Sequence, residues 1–198
     1  MTTAKDLFIV AMDTEHSVGQ GDLSLALAGA ELIDLIGTGV VAVDGDRIVP
    51  GGVSVLDDRL MSAAAAGLTR QAPYERVEDW LWRRGKDLSA TYQTALEEDG
   101  ELTRKRGRRM PFGSERVAAV DTSAHHRATE RWREDPVLAA LASAAGIGDE
   151  RSDDEPGFDD EAVTTVVAVV HDAVMELEAV RQRRSIERAA FSNVWRGP

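Results

Sequence analysis

The 198-residue chain has no cysteine, which excludes disulfide scaffolds, thiolate metal sites, iron–sulfur clusters and cysteine nucleophiles. It also lacks a long apolar run. The most apolar stretch, residues 162–180, is interrupted by His171, Asp172, Glu176 and Glu178, whereas a membrane-spanning helix needs about 18 or more apolar residues in succession. No basic region followed by an apolar run opens the chain, so we expect no signal peptide and a cytoplasmic location.

Cations are in the minority, because 23 Lys and Arg face 35 Asp and Glu, for a net charge of −12. This balance argues against a nucleic-acid partner. The charge is unevenly spread, however. Residues 149–161 contain eight acids and one arginine, while residues 102–116 contain six cations and one glutamate. The sequence therefore predicts a polarised molecule that can meet an anionic surface with one end. The excess of Arg over Lys is typical of GC-rich bacterial genomes.

The hydrophobic periodicity predicts a mainly α, single-domain helical bundle with two small β-hairpins over residues 1–198. Asp22 is the expected N-cap of the first long helix, and residues 6–12 fit either a strand or a buried helical turn. An acidic mobile loop is expected at about 147–160 and a C-terminal helix at about 160–184. The predicted helices are 23–36, 59–70, 75–98, 124–133, 136–145 and 159–184, and the predicted hairpins are 40–55 and 100–120.

Catalytic motifs are missing from the sequence. The four histidines do not have a metal-binding spacing, and no nucleophile elbow, P-loop or kinase motif is present. The Gly-Thr-Gly at 37–39 follows a predicted helix rather than a strand, so it does not form a dinucleotide-binding loop. We therefore predict a protein that is not an enzyme and that needs no metal and no cofactor.

The second predicted hairpin carries five cations in six positions, followed by an apolar tip. Such a tip can enter the acyl boundary of a bilayer while the cations meet lipid phosphates. A second interpretation is a solvated edge strand whose charges prevent aggregation. A third is the wing of a winged helix, which the acidic total disfavours. The cations are Arg104, Lys105, Arg106, Arg108 and Arg109, and the tip residues are Met110 and Phe112.

Four segments, taken in order, resemble the Golgi phosphoprotein 3 family over roughly residues 5–147. They are LALAGAELIDLIGTGVVAV (25–43), VEDWLWRRGKDL (77–88), ALEEDGELTRKRGRR (95–109) and DPVLAALASAAG (135–146). The resemblance implies a mainly α-helical domain with small hairpins. It also implies a peripheral membrane protein that binds phosphatidylinositol 4-phosphate.

The resemblance also locates a headgroup pocket. The family's tryptophan and arginine fall on Gly19 and Ala28, and its basic pair falls on Lys86 and Ser89. Only Lys86 keeps the chemistry of its position, because glycine offers no aromatic wall and alanine cannot pair with phosphate. We therefore expect a degenerate pocket, with Arg83 and Arg84 as candidate substitutes.

The expected partner is anionic, phosphoinositide-like lipid on the inner face of the membrane. The alternative is a protein-interaction adaptor or a homo-oligomer without a lipid role, in which the basic hairpin meets an acidic partner such as residues 149–161 of a neighbouring subunit.

Overall fold

Helices dominate the computed structural model, which describes residues 2–14, 18–52, 55–106, 115–119, 123–148 and 158–194. The mainly α fold with two small hairpins is confirmed. The described elements are α1 (Thr3–Asp13), α2 (Gln20–Gly37), β1 (Val41–Asp44), β2 (Arg47–Pro50), α3 (Arg59–Ala66), α4 (Val77–Arg84), α5 (Leu88–Glu98), β3 (Leu102–Arg106), β4 (Glu115–Ala119), α6 (Ser123–Glu134), α7 (Pro136–Ala144) and α8 (Glu161–Val194).

The central element is α2, which packs against α1, α3, α4, α5, α7 and α8. Its sequence is apolar on almost every side, as expected of a helix surrounded by others. The interior Gly29 has a packing reason, because a Cβ there would collide with Val170 of α8. The expected N-cap was wrong: the helix begins at Gln20 with Gly19 as its N-cap. Asp22 lies in the first turn and forms an ion pair with Arg181 of α8.

The predicted helix over 75–98 is two helices, α4 and α5, joined by a tight turn. Gly85 ends α4, and Asp87 has a positive φ of 57°. A Cβ at position 85 would lie 2.6 Å from the carbonyl oxygen of Leu81 and 3.2 Å from that of Ser24. Glycine is therefore required chiefly by the Leu81 carbonyl of α4 itself, and the Ser24 carbonyl of α2 adds a second tight contact. The apolar periodicity runs across this turn, which is why the break was missed.

Each hairpin follows a helix that ends near a glycine. In the first, Asp44 pairs with Arg47 across a turn in which Gly45 has a φ of 57°. This hairpin is tied to the body by backbone hydrogen bonds, from the N–H of Ile48 to Glu75 and from the N–H of Val77 to Asp46, both 2.9 Å long. The second hairpin pairs Leu102 with Ala119 and Arg106 with Glu115.

Both ends of the chain are helical where the structure describes them. Residues 6–12, open between strand and helix in the sequence, belong to α1. The last helix, α8, runs ten residues further than predicted, to Val194. Val166, Val170 and Ala173 of α8 are buried, whereas every residue from 178 to 188 is exposed. The single-domain organisation stays a prediction, and most of the acidic segment lies outside the described residues.

Candidate anion-binding surface

The basic hairpin exists as a backbone ladder between β3 and β4. The three cations at 104–106 lie opposite Val117, Arg116 and Glu115, respectively. Leu102, at the start of β3, is 5% exposed and anchors the hairpin beside α5 and α1. The strand register therefore agrees with the predicted hairpin. The other predicted contact residues, Arg108, Arg109, Met110 and Phe112, lie outside the described residues, and no side chain of 104–106 is described.

Arg83 lies at the surface but is held by several contacts. Its Nε and Nη2 donate to the two oxygens of Glu75, each at 2.7 Å, and Nη2 also donates to the Gly67 carbonyl at 3.0 Å. Its guanidinium lies 5.2 Å from the centre of the Trp80 ring. The hydrogen bond to Glu75 raises the pKa of Arg83. The Arg83 charge is therefore already matched by one carboxylate.

Arg84 turns inward and neutralises a buried acid. Its Nε and Nη2 donate to the oxygens of Glu31 at 2.7 and 2.9 Å, and the Tyr92 hydroxyl donates to Glu31 at 3.1 Å. Glu31 and Tyr92 are fully buried. Burial raises the pKa of Glu31, with the Arg84 hydrogen bond acting in the opposite direction. This bidentate pair joins α2 to α4, so Arg84 has a structural partner that the sequence did not reveal.

Lys86 is exposed in the turn between α4 and α5. No described residue forms an ion pair with its ammonium group. The turn itself is docked on the start of α2, because the N–H of Ser89 donates to Ser24 Oγ at 3.0 Å. Of the three cations near the end of α4, Lys86 is thus the one whose charge faces solvent without a carboxylate partner in the described structure.

The four positions that the resemblance assigns to a headgroup pocket lie on α2, its N-cap, this turn and the start of α5. Gly19 caps α2, and Lys86 and Ser89 lie at the turn beside the start of α2. Ala28 is fully buried, and its carbonyl accepts a hydrogen bond from Trp80 Nε1 at 3.1 Å. A nearby side chain that the sequence reasoning missed is Trp82 of α4, which is 38% exposed. It precedes Lys86 by four residues in the sequence and is an exposed aromatic group on α4.

The two basic groups begin at opposite ends of one helix. Lys86 precedes α5 and β3 follows it, and the 11 residues of α5 span about 16 Å. A groove of about 230 Å³ between the first hairpin, α4 and α8 does not suit an anion, because four carboxylates line it against one guanidinium. Its charged residues are Asp46, Arg76, Glu78, Asp172 and Glu176.

The sequence pattern of the family described as Golgi phosphoprotein 3 (GPP34) matches residues 4–189, nearly the whole chain. The chain belongs to the Golgi phosphoprotein 3 family. No curated protein matches it at a significant level. The family match extends the resemblance beyond residue 147 to include α8, where the sequence alone gave little support.

Membership of the Golgi phosphoprotein 3 family fits a phosphoinositide-binding type of domain, and the family is lipid-binding and non-catalytic. Within the described part of the chain, no helix is both long and apolar enough to cross a bilayer. Nor do its described His, Asp and Glu residues gather into a group that could hold a metal ion. The lipid-binding roles of the ten predicted site residues stay predictions.

A further cation, Arg181, lies at the start of α2 and was missed because 159 residues separate it from Asp22, its partner. Its Nη1 lies 2.7 Å from both oxygens of Asp22. Gly21 leaves the room for this contact, since a Cβ there would lie 2.7 Å from the Arg181 guanidinium. Arg181 and Lys86 thus both lie near the first turns of α2, where the helix dipole also favours negative charge.

Proposed function

We propose that this Golgi phosphoprotein 3 family member is a non-enzymatic, peripheral domain that binds anionic lipid on the inner face of the membrane. The observation that carries the proposal is the β3–β4 ladder, which places three of the five clustered cations on one strand of a two-stranded hairpin. Each cation near an anionic bilayer contributes roughly 1 kcal/mol. The acidic segment at 149–161 opposes binding only weakly, if it lies more than about 10 Å from the lipid at ordinary ionic strength.

Lys86 and Trp82 supply the second contact in this proposal. An exposed tryptophan and an exposed cation four residues apart in sequence suit the bilayer interface, where an indole ring lies among headgroups and an ammonium meets phosphate. We propose that headgroup selectivity is weak. Gly19 offers no ring, and Ala28 is buried with its carbonyl already bonded to Trp80. Charge density, rather than one headgroup, then governs binding.

Co-sedimentation with vesicles tests the proposal. Vesicles of phosphatidylcholine alone are compared with vesicles that contain about 30% phosphatidylserine or about 10% phosphatidylinositol 4-phosphate, which carry a similar total negative charge. We expect pelleting with both anionic mixtures, little with the neutral lipid, and a steep loss at higher salt. Equal pelleting with neutral and anionic vesicles would refute the electrostatic mechanism.

A fourfold serine variant at Arg104, Arg106, Arg108 and Arg109 locates the contact. It should abolish pelleting with anionic vesicles, because about 4 kcal/mol of attraction is removed. The matched control removes four exposed arginines from α3, the segment after it, and α6, so that the net charge is the same. The control residues are Arg59, Arg70, Arg127 and Arg133. Loss of binding in both variants would show that only net charge matters, and the hairpin would not be the site.

A further inference from the structure

The outward face of α8 exposes two large apolar side chains, Met175 and Ile186, that no described residue covers. α8 packs on the body through Val166, Val170 and Ala173. On its opposite face Met175 is 59% exposed and Ile186 is 70% exposed. Ala179 and Gln182 lie between them on the same face. These four residues, here called the seam, are spaced by four, three and four positions, which is the spacing of helices that pair along their length.

The charge on α8 is divided between its two halves. Residues 161–178 contain four acids and no Lys or Arg, whereas residues 179–194 contain four arginines and one glutamate. Of these arginines, Arg181 is bonded to Asp22. No described residue forms an ion pair with Arg183, Arg184 or Arg188. One half of the helix is thus electrostatically complementary to the other half.

We propose that the seam binds a second copy of this chain, with the two α8 helices antiparallel. The pairing is isologous, so each contact occurs twice. Met175 then packs against Ile186 of the second copy, and Ala179 packs against Gln182. Residues that flank the seam on the same side come together in such a pair, so Arg183 of one copy lies beside Glu176 of the other. The acidic half of each helix meets the basic half of its partner.

The charge distribution favours an antiparallel second copy over a parallel copy and over an anionic membrane as the occupant of the seam. A parallel pair would place the four acids of one helix beside the same four acids of the other, which is unfavourable. An anionic membrane would meet Glu176 and Glu178, which flank the seam, and would be repelled. The proposal is independent of lipid binding, because it uses neither the basic hairpin nor Lys86.

Sedimentation equilibrium of the full chain over a wide range of concentrations tests the proposal in the absence of lipid. The seam spans only about 17 Å of helix, so we expect a weak, reversible dimer with a dissociation constant of about 10–100 μM. Ile186→Asp should raise that constant by about tenfold or more, since it places a carboxylate in the seam twice. Arg184→Glu is the control. Arg184 lies seven residues after the body-facing Leu177, and hence on the side away from the seam.

Charge reversal tests the orientation. Arg183→Glu should weaken the dimer severalfold, and Glu176→Arg combined with Arg183→Glu should restore it. Restoration by Glu178→Arg instead would point to parallel helices and would overturn the proposal. So would a chain that stays monomeric at all concentrations, or a dimer equally stable in Ile186→Asp. Circular dichroism of each variant establishes that a lost dimer is not a lost fold.

Discussion

Two cation-rich regions of the molecule look alike in sequence and differ in structure. The first, residues 83–86, contains Arg83, Arg84 and Lys86, and the second is strand β3 with its clustered cations. In the first region two of the three cations are bound to carboxylates of other segments, Glu75 and Glu31. In the second, the register places a single acid, Glu115, opposite the three cations. A basic run in sequence therefore does not by itself define a surface of free positive charge.

The difference arises from what surrounds each run. The first region ends a helix that packs on α2, and α2 carries Glu31 in the middle of its apolar sequence. A buried carboxylate needs a charged or hydrogen-bonding partner, and Arg84 supplies it. Strand β3 belongs to a two-stranded unit that no third strand extends in the described structure. The first region thus stabilises the fold, and the second is the better candidate for binding.

The largest expected effect is on stability, and it tests whether Arg84 serves the fold rather than lipid binding. Glu31→Ala leaves the Arg84 guanidinium and the Tyr92 hydroxyl without their shared acceptor inside the protein. We expect the free energy of unfolding to fall by about 3–5 kcal/mol, the usual cost of removing one partner of a buried ion pair. Urea denaturation followed by circular dichroism measures it.

A second variant separates the loss of the Glu31 charge from the loss of its side-chain volume. Glu31→Gln keeps the size of the side chain and one acceptor oxygen, so its loss of stability should be smaller than that of Glu31→Ala. If both variants were as stable as the parent, Arg84 would be available to ligands and the contrast between the two regions would fail.

A smaller effect concerns lipid affinity. Lys86→Ser should lower partitioning onto anionic vesicles about fivefold, the contribution of one interfacial cation, and should leave stability nearly unchanged because the side chain is exposed. Arg84→Lys keeps the net charge and is the control. It should weaken the fold, through loss of the bidentate contact, without changing partitioning of the folded protein. Unchanged binding by Lys86→Ser would remove this surface from the proposed contact.

Much of the fold could be predicted because local signals determined it. The Asp44-Gly45 turn predicted the first hairpin, and the valine spacing at 163–177 predicted α8. The points at which helices begin and end were harder to predict. The turn at 85–87 interrupts a continuous apolar stripe, and the apolar pattern does not reveal the crowding of Gly85 by the Leu81 and Ser24 carbonyls or the positive φ of Asp87. The start of α2 was misplaced for a related reason, since Asp22 is held by Arg181 rather than capping the helix.

The site was less predictable because its charges are set by distant partners. No residue near Arg84 in the sequence indicates that its partner is Glu31, which lies 53 residues away. The acid itself was a usable signal, however. A glutamate between Ala30 and Leu32, in the apolar middle of the helix, requires a partner, and a search for that partner would have questioned the free charge of Arg84. Similarly, the spacing of Trp80 and Trp82 places them on opposite faces of α4, so a helix that packs on the body by one face leaves one of the two exposed.

The smallest expected effect is on the stability contributed by the other carboxylate–arginine pair, Glu75 with Arg83. Glu75→Ala removes the carboxylate that binds Arg83, a pair whose arginine side chain is 47% exposed. Because water and the Gly67 carbonyl can still receive the guanidinium, we expect a loss of only about 0–1 kcal/mol in urea denaturation. The variant should also bind anionic vesicles slightly better, since one negative charge is gone and the charge of Arg83 is no longer matched. A loss as large as that of Glu31→Ala would mean that both arginines serve the fold equally, and only Lys86 would then remain of the first region as a lipid contact.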